Sequence, residues 1–191
     1  MPELPIEIWK DRINNEIQIL DELNVIDKNS VAWHEASVDF WIKIKALGLK
    51  SRGGEGTLDL IPQKEHRILI RLNLSFPYPG GIDFSWHSEI YHPNIHPVTI
   101  TGSHAQGTGY ICLNVLKQWS RLSDLESTVK SLQMLVSNPN PDDPLNYDVC
   151  LNAAQFFKDN SMEDIKEKFN LVNNFKEKEK DSDKDDIIIL D

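Results

Sequence analysis

The sequence predicts an α+β domain, a four-stranded antiparallel meander flanked by an N-terminal helix, a central helix and C-terminal helices. Three observations lead there. Apolar residues recur at three- and four-residue steps near the N-terminus, at two-residue steps through the middle, and at helical steps again after residue 122. Gly- and Pro-rich clusters separate the two-residue runs, as turns between consecutive antiparallel strands require. The charged run beginning near residue 176 has no such period, so residues 1–172 are read as the core domain and 173–191 as a charged tail.

The elements follow in order. Ile6, Trp9, Ile13, Ile17, Leu20 and Leu23 form one stripe of a helix over residues 6–23, with Glu7, Lys10, Asp11, Arg12 and Glu16 on its polar face. Val38, Phe40, Ile42, Ile44 and Ala46 alternate with Asp39, Trp41, Lys43 and Lys45. The same alternation runs through Ile68 to Phe76 and through Ile82, Phe84 and Trp86. Each run reads as a half-buried strand, and Thr57 to Ile61 supplies a shorter one. Gly53 to Gly56, Pro62 to Glu65 and Pro77 to Gly81 are the predicted breaks. The glycines at 53, 54 and 56 do not make a phosphate loop, because no Lys-Ser or Lys-Thr follows them. Leu122, Leu125, Val129, Leu132 and Val136 mark the central helix, capped by Ser123 or Asp124 and stopped by Asn138-Pro139. Val149, Ala153, Phe156 and Phe157 mark a helix over 146–157, and Ile165, Phe169 and Val172 a last one.

Chemistry concentrates between Tyr91 and Asn114. Pro93 fixes its own φ and pushes His92 toward extended geometry, which makes His92-Pro93-Asn94 a rigid turn. Cys112 is the nucleophile of the stretch: a free thiol has a pKa of about 8.5, so a small fraction is thiolate at neutral pH. Asn94 and Asn114 are uncharged amide donors that can steady an oxyanion without protonating a thiolate. Two rival readings use the same residues. Cys112, His92 and Asn94 imitate a thiol-protease set, and His92, His96, His104 and Cys112 imitate a zinc site. The first lacks a signalled substrate cleft and the second lacks the short paired spacing of zinc ligands. Cys150, inside a predicted helix, reads as core packing.

Tyr91-His92-Pro93-Asn94-Ile95 followed by Ile111-Cys112-Leu113-Asn114-Val115-Leu116 resembles the active site of the ubiquitin-conjugating enzymes. Gln118-Trp119-Ser120 and Asn138-Pro139-Asn140-Pro141-Asp142-Asp143-Pro144-Leu145 are written as that family writes them. The resemblance covers roughly residues 6–170. It implies the ubiquitin-conjugating fold and an acyltransferase without metal or organic cofactor. Such an enzyme accepts ubiquitin or a ubiquitin-like modifier from an activating enzyme as a thioester on Cys112, then passes it to a substrate lysine, usually with a ligase. It assigns Asn94 to oxyanion stabilisation or to holding the turn, Asp143 to positioning and deprotonating the amine, and Asn114 to orienting it. His92 and Pro93 are assigned to the structure of the turn. Lys10, Arg12, Tyr78, Pro79 and Ser120 fall where partners dock in the family. The alternative is a non-catalytic binding module of the same fold, but the retained Cys112 argues against it.

The chain also departs from the family. Only Lys10 and Arg12 are basic on the first helix, so that face is equally read as merely solvated. Gly80 and Gly81 stand where a bulky apolar residue and a Pro pair are usual, which points to non-standard ligase docking. Seventeen residues separate Asn94 from Cys112, more than is usual, and Pro97 to Gly107 reads as an insertion, either a flap near the thiol or a tolerated surface loop. The tail ends in Ile187, Ile188, Ile189 and Leu190 after an Asp-rich run, a pattern resembling those that bind ubiquitin-like proteins by strand addition. It reads equally as a segment that packs on its own domain.

Composition narrows the rest. The 191 residues carry a net charge of -10, which argues against a broad nucleic-acid surface or an anionic-membrane surface. No apolar run approaches the ~20 residues of a membrane span. Two cysteines and an N-terminus without signal-peptide features point to a reduced, cytoplasmic setting.

Overall fold

The structure is a computed structural model, and it describes residues 3–52, 59–100, 106–117 and 122–169. Helix α1 (Ile6–Glu22) leads into four strands, β1 (Ile26–Trp33), β2 (Ser37–Ser51), β3 (Leu60–Asn73) and β4 (Ile82–Trp86). They form one antiparallel sheet in the order β1-β2-β3-β4. A two-stranded ladder of β5 (Ile95–His96) and β6 (Tyr110–Ile111) follows, then α2 (Leu113–Leu116), α3 (Leu125–Ser137) and α4 (Asp148–Asp159). A further helical run, α5, covers residues 162–169.

The two-residue alternation sets which face of the sheet is covered. Val38, Phe40, Ile42 and Ile44 of β2, Ile68, Ile70 and Leu72 of β3, and Trp86 of β4 are buried in one core with Trp9, Ile13 and Leu20 of α1 and Leu125, Leu132 and Leu135 of α3. Each fully buried aliphatic side chain contributes about 1.5–3 kcal/mol relative to exposure. The crossing of α3 over the sheet depends on an irregularity. Register shifts between Lys45 and Gly48, and a Cβ on Gly48 would lie 3.0 Å from Val136 Cγ1. A smaller core joins Leu49 to Ala153, Phe157, Met162 and Ile165.

Three expectations from the sequence are corrected. Leu60 and Ile61 do not belong to a separate strand from Thr57 to Ile61; they open β3, which runs on through Pro62 to Glu65, where a break was expected. Pro62 pairs with Leu49 in a part of β3 that β4 does not reach, and such an edge tolerates a proline. The strand that completes the sheet is β1, whose sequence IDKNSVAW lacks alternation because its pairing with β2 slips between Asp27 and Ala32. Thr57 itself, Gly53, Gly54 and Gly56, Ser120, and Val172 with the tail lie outside the described residues.

The third correction concerns α1. Ile6 and Leu23, at the ends of its apolar stripe, are exposed, and Glu16, expected on the polar face, is buried. Its Oε2 accepts a hydrogen bond from Leu125 N at 2.7 Å, which satisfies one of the orphan amides at the start of α3. Arg12 Nη2 lies 2.6 Å from Glu16 Oε1 and donates to Ser123 O at 3.2 Å. Arg12 therefore ties α1 to α3 instead of offering a free cation to a partner. Lys10 stays exposed, 3.9 Å from Glu7.

Candidate active site

The site is built where β5 and β6 end. Cys112 N donates to Asn94 O at 2.8 Å, one step beyond the Ile95–Ile111 pair, so the thiol sits at the mouth of the ladder. Cys112 is 8% exposed. Its Sγ lies 3.9 Å from Asp143 Oδ2, with the thiol as donor. Asp143 is exposed, so that oxygen faces both the sulfur and solvent. Asn114 is also exposed, two residues on, in α2.

Asn94 is fully buried and holds the turn that carries Asp143. Its Nδ2 donates to Asn140 O at 2.9 Å and to Asp143 O at 2.8 Å, and its Oδ1 accepts from Asn140 N at 2.7 Å. Both amide hydrogens are thereby engaged on the loop. Pro93 contributes through its carbonyl, which accepts from Leu145 N at 2.9 Å.

His92 is a buried strut. Its Nδ1 accepts from Asn94 N at 3.0 Å, which leaves the proton on Nε2 to be donated to Leu135 O at 3.0 Å. Complete desolvation drives its pKa down to about 3. With both ring nitrogens taken, it serves neither as a protease base toward Cys112 nor as a zinc ligand. His96 points elsewhere, toward Thr108, and His104 lies outside the described residues.

The two thiols are free and differ in surroundings. Cys150 of α4 is fully buried, its Sγ 3.5 Å from Ile95 O, and burial pushes the thiol up to about 12. Among the described residues no group of three or more His, Cys, Asp or Glu side chains is disposed to hold a metal ion, and no helix is long and apolar enough to cross a membrane.

Tyr78 and Pro79 line a shallow groove with Ile82, Leu113, Lys117 and Leu122, which places them beside the residue that follows Cys112. The insertion leaves the ladder at its other end. Val98 N donates to Trp86 O, Gly107 N to Val98 O, and Trp86 N to Gly109 O. Gly109 has φ +76, and a Cβ there would come within 2.4 Å of Ser85 Oγ, so only glycine lets this strand approach β4 so closely. The described roots of the insertion thus lean on β4, away from the sulfur. The residues between 100 and 106 lie outside the described set.

Sequence reasoning missed two features of this region: the Glu16 carboxylate under α3, and the His96–Tyr147 ring stack beside the loop of Asp143. An acidic residue on the polar face of an amphipathic helix gives no sign of burial. The stack joins residues far apart in the chain that no periodicity relates.

A free thiol stands beside a carboxylate on a turn held by His-Pro-Asn, on a four-stranded meander backed by helices. Residues 62–170 match the family model of the ubiquitin-conjugating enzymes, and the chain belongs to that family. The match begins inside β3; α1, β1 and β2 precede it and complete the family's architecture. The chain is 31% identical over 102 residues to ubiquitin-conjugating enzyme E2 2 of Aspergillus fumigatus, covering 52% of this chain and 57% of that protein. It is 41% identical over 80 residues to ubiquitin-conjugating enzyme E2 N of Drosophila melanogaster, covering 41% and 44%. It is 34% identical over 96 residues to the probable ubiquitin-conjugating enzyme E2 31 of Arabidopsis thaliana, covering 48% and 53%. The chain spans about half the length of the curated relatives it matches.

Proposed function

We propose that this chain carries ubiquitin or a ubiquitin-like modifier as a thioester on Cys112 and delivers it to a lysine amine. The observation that carries the reading is the pairing of Cys112 Sγ with Asp143 Oδ2 at 3.9 Å on a loop fixed by Asn94. In the first step the Cys112 thiolate attacks the thioester that joins the modifier's C-terminal carbonyl to the activating enzyme. A new S–C bond forms, the old one breaks, and the activating enzyme leaves as a thiolate. Exchange between two thioesters is close to balanced, so alignment and oxyanion stabilisation are what the protein must supply.

In the second step a lysine amine attacks the same carbonyl. The N–C bond forms, the C–S bond breaks, and the amine loses a proton. Free lysine has a pKa of about 10.4, so the proton needs an acceptor close by and an environment that disfavours the ammonium. Asp143 is our acceptor. Asn94 acts by holding the loop that aims Asp143, and Asn114, exposed and beside the thiol, orients the incoming amine. His92, neutral and saturated with hydrogen bonds, adds no imidazole base beside the thioester that would activate water.

An activating enzyme meets α1 at its exposed face, where Lys10 lies, and a ligase meets the groove of Tyr78 and Pro79; Ser120 is a further proposed ligase contact. The segment Ile187 to Leu190 adds a strand to a ubiquitin-like partner. The setting is the cytoplasm, where both thiols stay reduced. The test mixes the chain with ubiquitin, its activating enzyme and ATP, and repeats this with a Nedd-type modifier and its own enzyme. A reductant-sensitive adduct that becomes reductant-resistant in Cys112→Ser supports the reading; no adduct with either modifier contradicts it.

A further inference from the structure

Asp143 lies between two anchors, of which the Asn94 amide is only the first. Toward the C-terminus the loop runs through Leu145, tied to Pro93 O, to Tyr147, the residue that caps α4. The Tyr147 ring lies flat on the His96 ring, with centroids 3.8 Å apart and planes within 4°. Aromatic pairs more often sit offset or edge-on, so this overlay fixes where the Tyr147 backbone can be. The imidazole is itself held. Thr108 N donates to His96 Nδ1 at 3.2 Å, and Thr108 Oγ1 lies 2.8 Å from the same nitrogen. Tyr110 N donates to that hydroxyl oxygen at 3.2 Å, which turns the hydroxyl hydrogen toward His96. Nδ1 is thus an acceptor, His96 is neutral, and the ring is 7% exposed. A relay runs from Thr108, at the root of the insertion, through His96 and Tyr147 to the loop of Asp143.

From this, resting on the carrier reading above, we infer that His96 is a positioning residue for the discharge step: through the face of Tyr147 it sets the Asp143 carboxylate relative to the thioester on Cys112. Asp143 needs such help. It is exposed, and the one hydrogen bond its carboxylate makes among the described residues is with the sulfur that the modifier will occupy. Once the thiol proton is gone, the carboxylate is aimed by its backbone alone. The backbone in turn is aimed by Asn94 on one side and by the Tyr147 stack on the other. Loading does not use Asp143, so the relay acts on discharge and spares charging.

The experiment uses the full chain charged with ubiquitin, or with a Nedd-type modifier if only that one loads. Single-turnover discharge to free lysine is measured on the preformed thioester, a rate that does not depend on what fraction of the protein is folded. His96→Ala and Tyr147→Ala should each slow discharge at saturating lysine about tenfold while charging stays within about twofold, since small misplacements of a reacting group cost rate steeply. Tyr147→Phe, which keeps the ring face, should discharge like the wild type. In an Asp143→Ala background, His96→Ala should add no further loss, because a residue acting through Asp143 is not additive with it. Wild-type discharge by His96→Ala, or an undiminished tenfold loss in the Asp143→Ala background, overturns the inference. A charged wild-type thioester with either of those results leaves the carrier reading standing; no thioester on the wild-type chain removes both.

Discussion

Cys112 and Cys150 hang from neighbouring peptide units and meet opposite fates. The backbone of Cys112 is bonded to the Asn94 carbonyl, and the sulfur of Cys150 leans on the carbonyl of Ile95. One thiol ends a ladder 3.9 Å from a carboxylate oxygen and is 8% exposed; the other is fully buried in α4, where burial pushes its pKa up to about 12. On the carrier reading, the same chemical group serves as a nucleophile or as a piece of core according to its place around one short strand. The carrier reading therefore makes reactivity depend on access and on the neighbouring loop, and each part of that statement is open to attack by mutation.

The largest effect expected is from Cys112→Ala, which should abolish the modifier adduct altogether. Cys150→Ala should leave charging intact and lower stability by about 1 kcal/mol through the cavity it opens, read from the urea midpoint. Next, Asp143→Ala should keep the adduct and slow its discharge to lysine by about 10²-fold, within the usual range for loss of a general base. Asn94→Ala should slow discharge too, and it should also destabilise the fold by about 2 kcal/mol, because it removes the three hydrogen bonds by which a buried amide holds the backbone of Asn140 and Asp143.

Two buried histidines give the fold a pH dependence. His66 and His92 are buried and neutral, with pKa values held to about 4 and about 3 by desolvation, against 6.5 in the unfolded chain. Between these values the unfolded state binds more protons, so stability is complete above about pH 6.5 and falls as pH drops toward 4. Urea titrations at pH 7 and pH 5 should show a loss of roughly a few kcal/mol, and His92→Asn should reduce the pH dependence. The smallest contrast lies on α1. Arg12→Ala should destabilise by about 1 kcal/mol, because it removes a partner of buried Glu16, whereas Lys10→Ala should change stability by less than about 0.5 kcal/mol.

Much of this was legible in the sequence, and the rest was hidden for identifiable reasons. The buried faces of β2 and β4, the stripe of α3 and its Asp124 cap follow from period and capping chemistry, because one face of each element meets the core. Strand β1 was not legible: a bulged edge strand shows no alternation. Pro62 was read as a break because a proline argues against a strand, and an edge relaxes that rule. At the site, His92, Pro93, Asn94, Cys112 and Asp143 carry recognisable motif spacing, and the structure brings them together. Glu16, Thr108, His96 and Tyr147 act through contacts between distant parts of the chain, which no local pattern records.

The most direct test is mass spectrometry of the charged protein under non-reducing conditions, run on the wild type, Cys112→Ala and Cys150→Ala. The account predicts one modifier per chain, joined to the peptide containing Cys112, present in Cys150→Ala, absent in Cys112→Ala and released by thiol. An adduct on Cys150, or one that survives in Cys112→Ala, would contradict it.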